Sequence, residues 1–368
     1  MRSVRTLRIL GTRGIPARHG GFETFAERLA IHLARRGWAV TVYCQEAGSG
    51  EIRQDTWEGV RRILVPSGVR PKLDTILFDW KSAQHASRED GLVLTLGYNT
   101  GVFGLVHRLK GIPQVINMDG IEWRRAKWSL PVKAWFFANE WAACRIADHL
   151  IADNPGIRDH LARHVSASKI AMIPYGADAP SEASLEPLAP FRLSPSGYVT
   201  VVARPEPENS LLEIVSAFSA RRRDLLLALV GEIQPPTTAY RRRLVDAAGP
   251  EVRFLGPIYD QGVLGPLRRH ARLHIHGHRV GGTNPSLVEA LGAGNAILAH
   301  DNVFNRWVCG RAACYFGDAV ELAELLDALL GDTGELEMMR SAARARHAEA
   351  FTWGRVLEAY ETLLLRWA

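Results

Sequence analysis

The sequence is poor in the features that announce many protein classes. It holds four cysteines in 368 residues, Cys44, Cys144, Cys309 and Cys314, and none stands in a CxxC pair. That scatter offers neither a disulfide framework nor a zinc site, and it suits a reducing compartment. No run approaches the ~18–20 apolar residues of a membrane span. The N-terminal MRSVRTLRILGTRG is basic, but its apolar run is too short for a signal peptide. No Asp-x-Asp occurs, so a carboxylate-held metal has no obvious seat, and no metal or cofactor is expected. Internal repeats and low-complexity tracts are also missing.

What is there reads as an ordinary globular protein, with 47% hydrophobic and 23% charged residues. Its length favours two domains. A net charge of +6 favours anionic partners without choosing among nucleotides, phosphates, acidic lipid and nucleic acid.

Strand-like and helix-like runs alternate. Leu7–Leu10, Val40–Tyr43, Leu92–Leu96, Gln114–Asn117 and His149–Ala152 read as buried strands. Between the first two lies a helical pattern over Phe22–Arg36, with apolar positions three and four apart. Residues 177–197 carry four prolines and read as a linker. Strands then resume at Tyr198–Val202, Leu225–Val230, Val252–Leu255, Leu273–His276 and Ala296–Ala299, with helical patterns near 209–220, 237–248, 260–271, 285–293 and 318–330. Such alternation predicts parallel sheets covered by helices: an α/β protein with two doubly wound, Rossmann-like domains. The boundaries fall at 1–178, a linker at 179–196, and 197–352. Ligands of such folds sit at the carboxyl ends of the strands, here expected in an interdomain cleft.

The stretch HRVGGTNPSLVEALGAGNAILA, from His278 to Ala299, follows a predicted strand. Asn284 can cap a helix and Pro285 suits its first position. Gly281 and Gly282 let the backbone approach a ligand. Thr283, Asn284 and Ser286 add donors, and a helix start favours an anion such as a diphosphate. An ordinary helix cap would read the same way. Glu289, among Leu287, Val288, Ala290 and Leu291, sharpens the reading: a carboxylate there suits the hydroxyls of a nucleotide's sugar ring. A surface glutamate is the alternative.

The first half offers ILGTRGIPARHGGFETFAERL, a strand, a glycine-rich loop and a helix. It is neither a Walker A loop nor a GxGxxG. Gly20 and Gly21 sit at the helix start and suit close approach of a sugar or phosphate, or a plain turn. Arg204, just past a strand, can make charge-assisted bonds to a phosphate. Asp119, at a strand end before Gly120, could orient an acceptor hydroxyl. Glu122, Trp123, Arg124, Arg125 and Lys127 open a stretch of aromatic and basic residues that suits an anionic membrane surface or, equally, a packed helix with a solvated basic face. The runs Arg221–Arg223, Arg241–Arg243 and Arg268–Arg269 lack interleaved aromatics and read as solvated faces, so nucleic acid is not an expected partner.

Together the first loop, Arg204 and GGTNPSLVEALGAGNAILA resemble glycosyltransferase family 4, retaining enzymes of the GT-B fold, over essentially the whole chain. The resemblance implies that Glu289 binds the ribose, that Arg204 and the backbone before α-helical residue 285 hold the diphosphate, and that Gly20 and Gly21 face the transferred sugar. It also implies that a last helix at 353–368 packs back on the first domain. Two positions depart from the family pattern. Gly281 stands where a first glutamate is usual, and Asn209 where a lysine is usual. GTRGIPARHGGFETF, DGIEW and HGHRVGGTNPSLVEA resemble a narrower bacterial group, rhamnosyltransferases of capsule, O-antigen and cell-wall polysaccharide assembly, which shares these substitutions. That group implies dTDP-L-rhamnose as donor and a sugar on undecaprenyl diphosphate as acceptor. It also implies a cytoplasmic enzyme, peripheral on the inner face of the membrane. Arg204, Asp119 and Gly21 are then the candidate catalytic residues. A nucleotide-sugar 2-epimerase of the same architecture, and a non-catalytic nucleotide-sugar-binding subunit, are the competing readings.

Overall fold

The computed structural model describes residues 4–18, 20–68, 74–180 and 184–368. The chain forms two compact units, each with its own sheet. The first comprises Met1–Arg124, Trp128–Pro174 and Trp353–Ala368; the second comprises Arg125–Lys127 and Tyr175–Thr352.

The first unit runs β1 (Thr6–Leu10), α1 (Gly21–Arg35), β2 (Ala39–Glu46), β3 (Arg53–Trp57), β4 (Val60–Pro66), α2 (Asp74–Ala86), β5 (Leu92–Leu96), α3 (Leu105–Leu109), β6 (Gln114–Asn117), α4 (Leu130–Ile146), β7 (His149–Ala152), α5 (Pro155–Leu161) and β8 (Ile170–Met172). Among the described residues these strands make one sheet in the order β3-β4-β2-β1-β5-β6-β7-β8, parallel except for the β3–β4 hairpin at its edge. Strands β1, β6 and β7 are almost wholly buried, which is why they appear in the sequence as short continuous apolar runs. The β3 strand, RQDTW, is polar and exposed, so it carries no such signal. Helix α1 buries Phe25, Ala26, Leu29, Ala30 and Leu33, the stripe its spacing predicts.

The second unit runs β9 (Tyr198–Val202), α6 (Leu211–Ser219), β10 (Leu226–Val230), α7 (Ala239–Asp246), β11 (Val252–Gly256), α8 (Gln261–Arg269), β12 (Leu273–His276), α9 (Pro285–Gly292), β13 (Ile297–His300), α10 (Val303–Cys309), β14 (Ala313–Phe316), α11 (Ala319–Gly331) and α12 (Thr333–Ala350). Its sheet is parallel, in the order β11-β10-β9-β12-β13-β14. Leu211, Ile214, Val215 and Phe218 of α6 pack with Leu227, Leu229, Leu273, Ile275 and Leu298 of the strands. The order turns outward on either side of β9 and β12. This is the switch point at which doubly wound sheets place ligands.

The proline-rich stretch expected as a linker belongs to the second unit, and the chain changes unit at Pro174 and Tyr175. Residues 181–183 of it lie outside the described residues. Glu186–Phe191 forms a 3-10 helix, and Leu188 and Leu193 are buried against Leu264, Leu267 and Tyr198. These two leucines anchor residues 186–193 to the second unit's core. Finally, α13 (Trp353–Leu364) returns to the first unit. Tyr360 sets its ring 4.6 Å from that of Phe25 and accepts a 2.7 Å hydrogen bond from Asn117 Nδ2, while Arg36 donates to Glu361 at 2.7 Å.

Candidate functional site

In the second unit the loops after β9 and β12 are tied together. Gly277 follows β12 directly, and a Cβ there would lie 2.3 Å from the carbonyl oxygen of Asn209, so only glycine allows this approach. Arg279 donates its backbone N–H to Glu208 O at 3.0 Å and its Nε to Ser210 Oγ at 2.8 Å. Gly281 has φ +132° and open space around it, so it is the backbone angle rather than crowding that calls for glycine. Asn284 caps α9, its Oδ1 accepting from Ser286 N at 3.0 Å, and Pro285 follows as the first helical residue. Ser286 Oγ donates to Val202 O at 3.1 Å, which ties the helix start to the end of β9. Ser286 therefore has only acceptor capacity left for a ligand. Thr283 and Gly282 are buried in the turn.

Arg204 stands two residues past β9 and is exposed. Its carbonyl accepts from Asn209 Nδ2 at 2.9 Å. The residue at the usual lysine position thus holds the arginine's loop, without adding charge. A buried charge lies on the same loop. Glu208 pairs with Arg125 at 2.7 Å, and both side chains are largely buried. His276 and His278 stack above the end of β12 with ring centroids 4.3 Å apart. Burial holds His278 down to about 3, and the neighbouring charges of Arg204 and Arg125 act in the same direction.

Glu289 is ion-paired rather than free. Arg268, in the last turn of α8, reaches its Oε2 at 2.6 Å; the arginine side chain is 3% exposed and the glutamate's 23%. The expectation that Arg268–Arg269 forms a solvated face is corrected here: Arg269 is exposed, but Arg268 points inward. The signal was in the sequence, because Arg268 lies four residues after buried Leu264, on the apolar stripe of α8.

In the first unit Gly11 has φ +79°, and a Cβ there would lie 2.2 Å from Leu96 O, so β1 ends in a turn only glycine can make. Gly20 is the N-cap of α1, which it caps with no side-chain bond of its own, and Gly21 is the first helical residue. Asp119 follows β6 with φ 50°, its backbone N–H donating to Asn117 Oδ1 at 2.9 Å. Asp79, which the sequence did not single out, is raised to about 6 by burial despite accepting a 2.8 Å bond from Thr100 Oγ1.

The expected membrane or acceptor face is only partly a face. Glu122 is buried: its N–H donates to Tyr98 OH at 2.7 Å, and its carboxylate accepts from Trp128 Nε1 at 3.4 Å. A 3-10 turn over Glu122–Arg124 directs the acid inward. Trp123 is half-buried and donates to Glu140 at 3.0 Å. Arg125 is engaged with Glu208, as above. Arg124 and Lys127 are exposed. The larger exposed apolar surface lies further on, along α4, at Leu130, Phe137 and Trp141.

Among the described residues, Glu140, His160 and His164 place potential metal-ligating atoms within 4.8 Å of one another. Both oxygens of Glu140 already accept hydrogen bonds, from His160 Nε2 at 2.8 Å and from Trp123 Nε1. The group reads as a bonded cluster fixing the turn at Glu122–Arg124. No helix of the described residues is long and apolar enough to cross a membrane.

Residues 4–178 match a family model described as "Domain of unknown function (DUF1972)". No curated protein matches the chain by sequence. Solved structures match it over nearly its whole length. Sucrose-phosphate synthase from Thermosynechococcus elongatus does so with a TM-score of 0.82 at 18% identity, covering 98% of each chain. HepE from Anabaena, in complex with UDP, matches with a TM-score of 0.74 at 15% identity, over 99% of this chain and 100% of its own. An α,α-trehalose-phosphate synthase (UDP-forming) from Burkholderia vietnamiensis matches with a TM-score of 0.76 at 12% identity, over 98% and 100%. At such identities the likeness is one of fold. The chain has two Rossmann-like parallel-sheet domains of the kind found in GT-B glycosyltransferases.

Proposed function

We propose that the chain is a retaining glycosyltransferase that moves a sugar from a nucleoside diphosphate to an acceptor hydroxyl. One constellation carries this reading: the capped start of α9 behind an open glycine turn, exposed Arg204 at the end of β9, and the carboxylate of Glu289 one turn into α9. These supply an anion seat, a cation and an acceptor for ring hydroxyls, the three needs of a nucleoside diphosphate. The donor class draws support from the structural neighbours, since HepE has been crystallised with UDP-glucose.

Departure of the diphosphate leaves an oxocarbenium-like sugar. Stabilising the charge on the leaving group is the main catalytic task, met by Arg204 and the backbone N–H groups of Gly281, Gly282 and Thr283. The leaving phosphate oxygen takes the acceptor's proton, so no enzymatic base is assigned. Glu289 is assigned to the nucleotide's sugar ring, Gly20 and Gly21 to the transferred sugar, and Asp119 to the acceptor hydroxyl. The narrower sequence resemblance supports L-rhamnose from dTDP-L-rhamnose as the sugar and an undecaprenyl-diphosphate-linked saccharide as the acceptor, in surface polysaccharide assembly at an anionic membrane. No metal takes part in this scheme.

The test is incubation with a panel of nucleotide sugars, dTDP-L-rhamnose and UDP-glucose among them, with and without lipid-linked acceptor, in the presence of a chelator. Acceptor-dependent release of nucleoside diphosphate is expected. Conversion of the donor without acceptor would point instead to an epimerase, and activity lost to the chelator and restored by magnesium would reinstate a metal.

A further inference from the structure

We propose that Arg268 is the positioning residue for Glu289: it anchors one carboxylate oxygen from within the protein and leaves the other for a single hydroxyl of the nucleotide's sugar ring. The proposal rests on the reading of Glu289 given above. Its own basis is the geometry of α8 against α9. Arg268 is 2% exposed, with buried Leu264 and Leu267 on the same helix. Its NH2 lies 2.6 Å from Glu289 Oε2, while its Nε has no hydrogen-bond partner. A buried guanidinium needs a counter-charge, so this contact fixes where the carboxylate sits.

The arginine is itself held. Its carbonyl accepts from Asn295 Nδ2 at 2.7 Å, and Arg269 donates to Ala293 O at 3.4 Å. Both partners lie just beyond the end of α9. The last turn of α8 is therefore tied to the end of the helix that carries Glu289. A glutamate without such an anchor would have to order a flexible side chain each time a nucleotide bound.

The anchor also limits what the carboxylate offers. The Arg268 contact draws Oε2 to the buried side and takes part of its acceptor capacity, which disfavours the paired grip of two carboxylate oxygens on two neighbouring hydroxyls. One free oxygen suits one hydroxyl, which is all that a 2′-deoxyribose ring presents. The site is thus built to accept 2′-deoxyribonucleoside diphosphates about as well as ribonucleoside diphosphates.

Calorimetric titration of the full chain with UDP, 2′-deoxy-UDP and inorganic pyrophosphate tests this, using wild type and Arg268→Lys. Wild type should bind the two nucleotides within about threefold of each other. Arg268→Lys keeps the charge but loses the planar fork, and should weaken both nucleotides about tenfold while leaving pyrophosphate, which has no ring, unchanged. Should Arg268→Lys not fold, Arg268→Gln, whose amide ends short of Oε2, should show the same nucleotide-only loss. Equal nucleotide affinity in a folded variant overturns the positioning role, as does a loss shared by pyrophosphate. A wild-type preference for UDP above about tenfold overturns the single-hydroxyl arrangement. Failure of wild type to bind any probe overturns the nucleotide reading of the site, and this proposal with it.

Discussion

At the scale of single residues, β12 holds a charge problem that only neutral pH solves. Residues 273–278, LHIHGH, send His274, His276 and His278 to one side, the first two buried and His278 half-buried. Burial holds His274 and His278 down to about 3 and His276 well below the ordinary 6.5, and Arg268, Arg204 and Arg125 push the same way. In the unfolded chain these groups take up protons below about pH 6.5 while the folded chain does not, so stability is lost as pH falls from there toward about 3. Each histidine costs about 1.4 kcal/mol per pH unit in that window, against a net domain stability of about 5–15 kcal/mol. Asp79 works in the opposite sense: raised to about 6, it stabilises the first unit below its ordinary 3.8 and loses that contribution as pH rises through about 6. Burial also lowers His85, His107 and His149 of the first unit, but less than the stacked histidines of the second, and Asp79 offsets part of that loss, so the second unit should unfold first on acidification. Hydrogen exchange, corrected for its intrinsic rate, should lose protection across residues 175–352 between about pH 7 and about pH 5, before residues 4–174. Uniform loss, or none, would show that the stacked histidines are solvated in solution. This stack shows a limit of the sequence. Alternation made β12 legible as a strand, but not whether its histidines face water. Arg268 was hidden by its neighbour, since two adjacent arginines look like a charged surface although only one of them faces out.

Among the elements, α4 shows how an aromatic segment can be legible in kind and not in orientation. The sequence reveals tryptophans and phenylalanines mixed with cations over 123–141, but residues from Glu122 to Arg125 turn largely inward while α4 presents its outer stripe. Phe136, Asn139, Ala143 and Cys144 are buried, and Asn139 Oδ1 accepts from Val102 N at 3.0 Å. Leu130, Phe137 and Trp141 are 80%, 49% and 52% exposed. Arg145 lies 3.5 Å over the ring of Trp141, and the helix's one acid, Glu140, is buried. An apolar stripe flanked by cations and free of outward carboxylates fits an anionic bilayer surface. Replacing Phe137 and Trp141 together by glutamine should cut binding to anionic vesicles at least about tenfold, since each ring would bury about 1.5–3 kcal/mol of apolar surface. The melting temperature should move little, because both rings are about half exposed and Phe137 packs edge-on against half-buried Trp123 rather than into the core. Undiminished binding in flotation assays, or equal binding of wild type to neutral vesicles, would take the membrane off this helix.

For the molecule as a whole, alternation of strand and helix was enough to anticipate two doubly wound sheets, and the buried parallel strands were the easiest part to read. The polar edge strand β3, the four-residue β14 and the long, alanine- and charge-rich α12 gave no comparable pattern, because their place is set by tertiary pairing rather than by periodicity. The place of the final helix was implied by the family resemblance alone, not by any periodic pattern. Residues after Thr352 leave the second unit and complete the first. There α13 buries Trp353, Val356, Leu357, Tyr360, Leu363 and Leu364, and Glu361 binds both His32 and Arg36 of the α1 region. Full burial of such side chains contributes about 1.5–3 kcal/mol each, so together they rival the entire net stability of a domain. Asn117 would also lose the tyrosine hydroxyl that satisfies its buried amide. A chain ending at Thr352 should therefore have an unfolded first unit and a folded second one, since the second unit's sheet and core include nothing from α13. Hydrogen exchange should show protection lost across 4–174 and kept across 198–350, with binding of nucleoside diphosphate retained. Protection kept throughout the first unit would mean that its sheet closes a core without α13, and loss of nucleotide binding would mean that the seat at β9, β12 and α9 does not belong to the second unit alone.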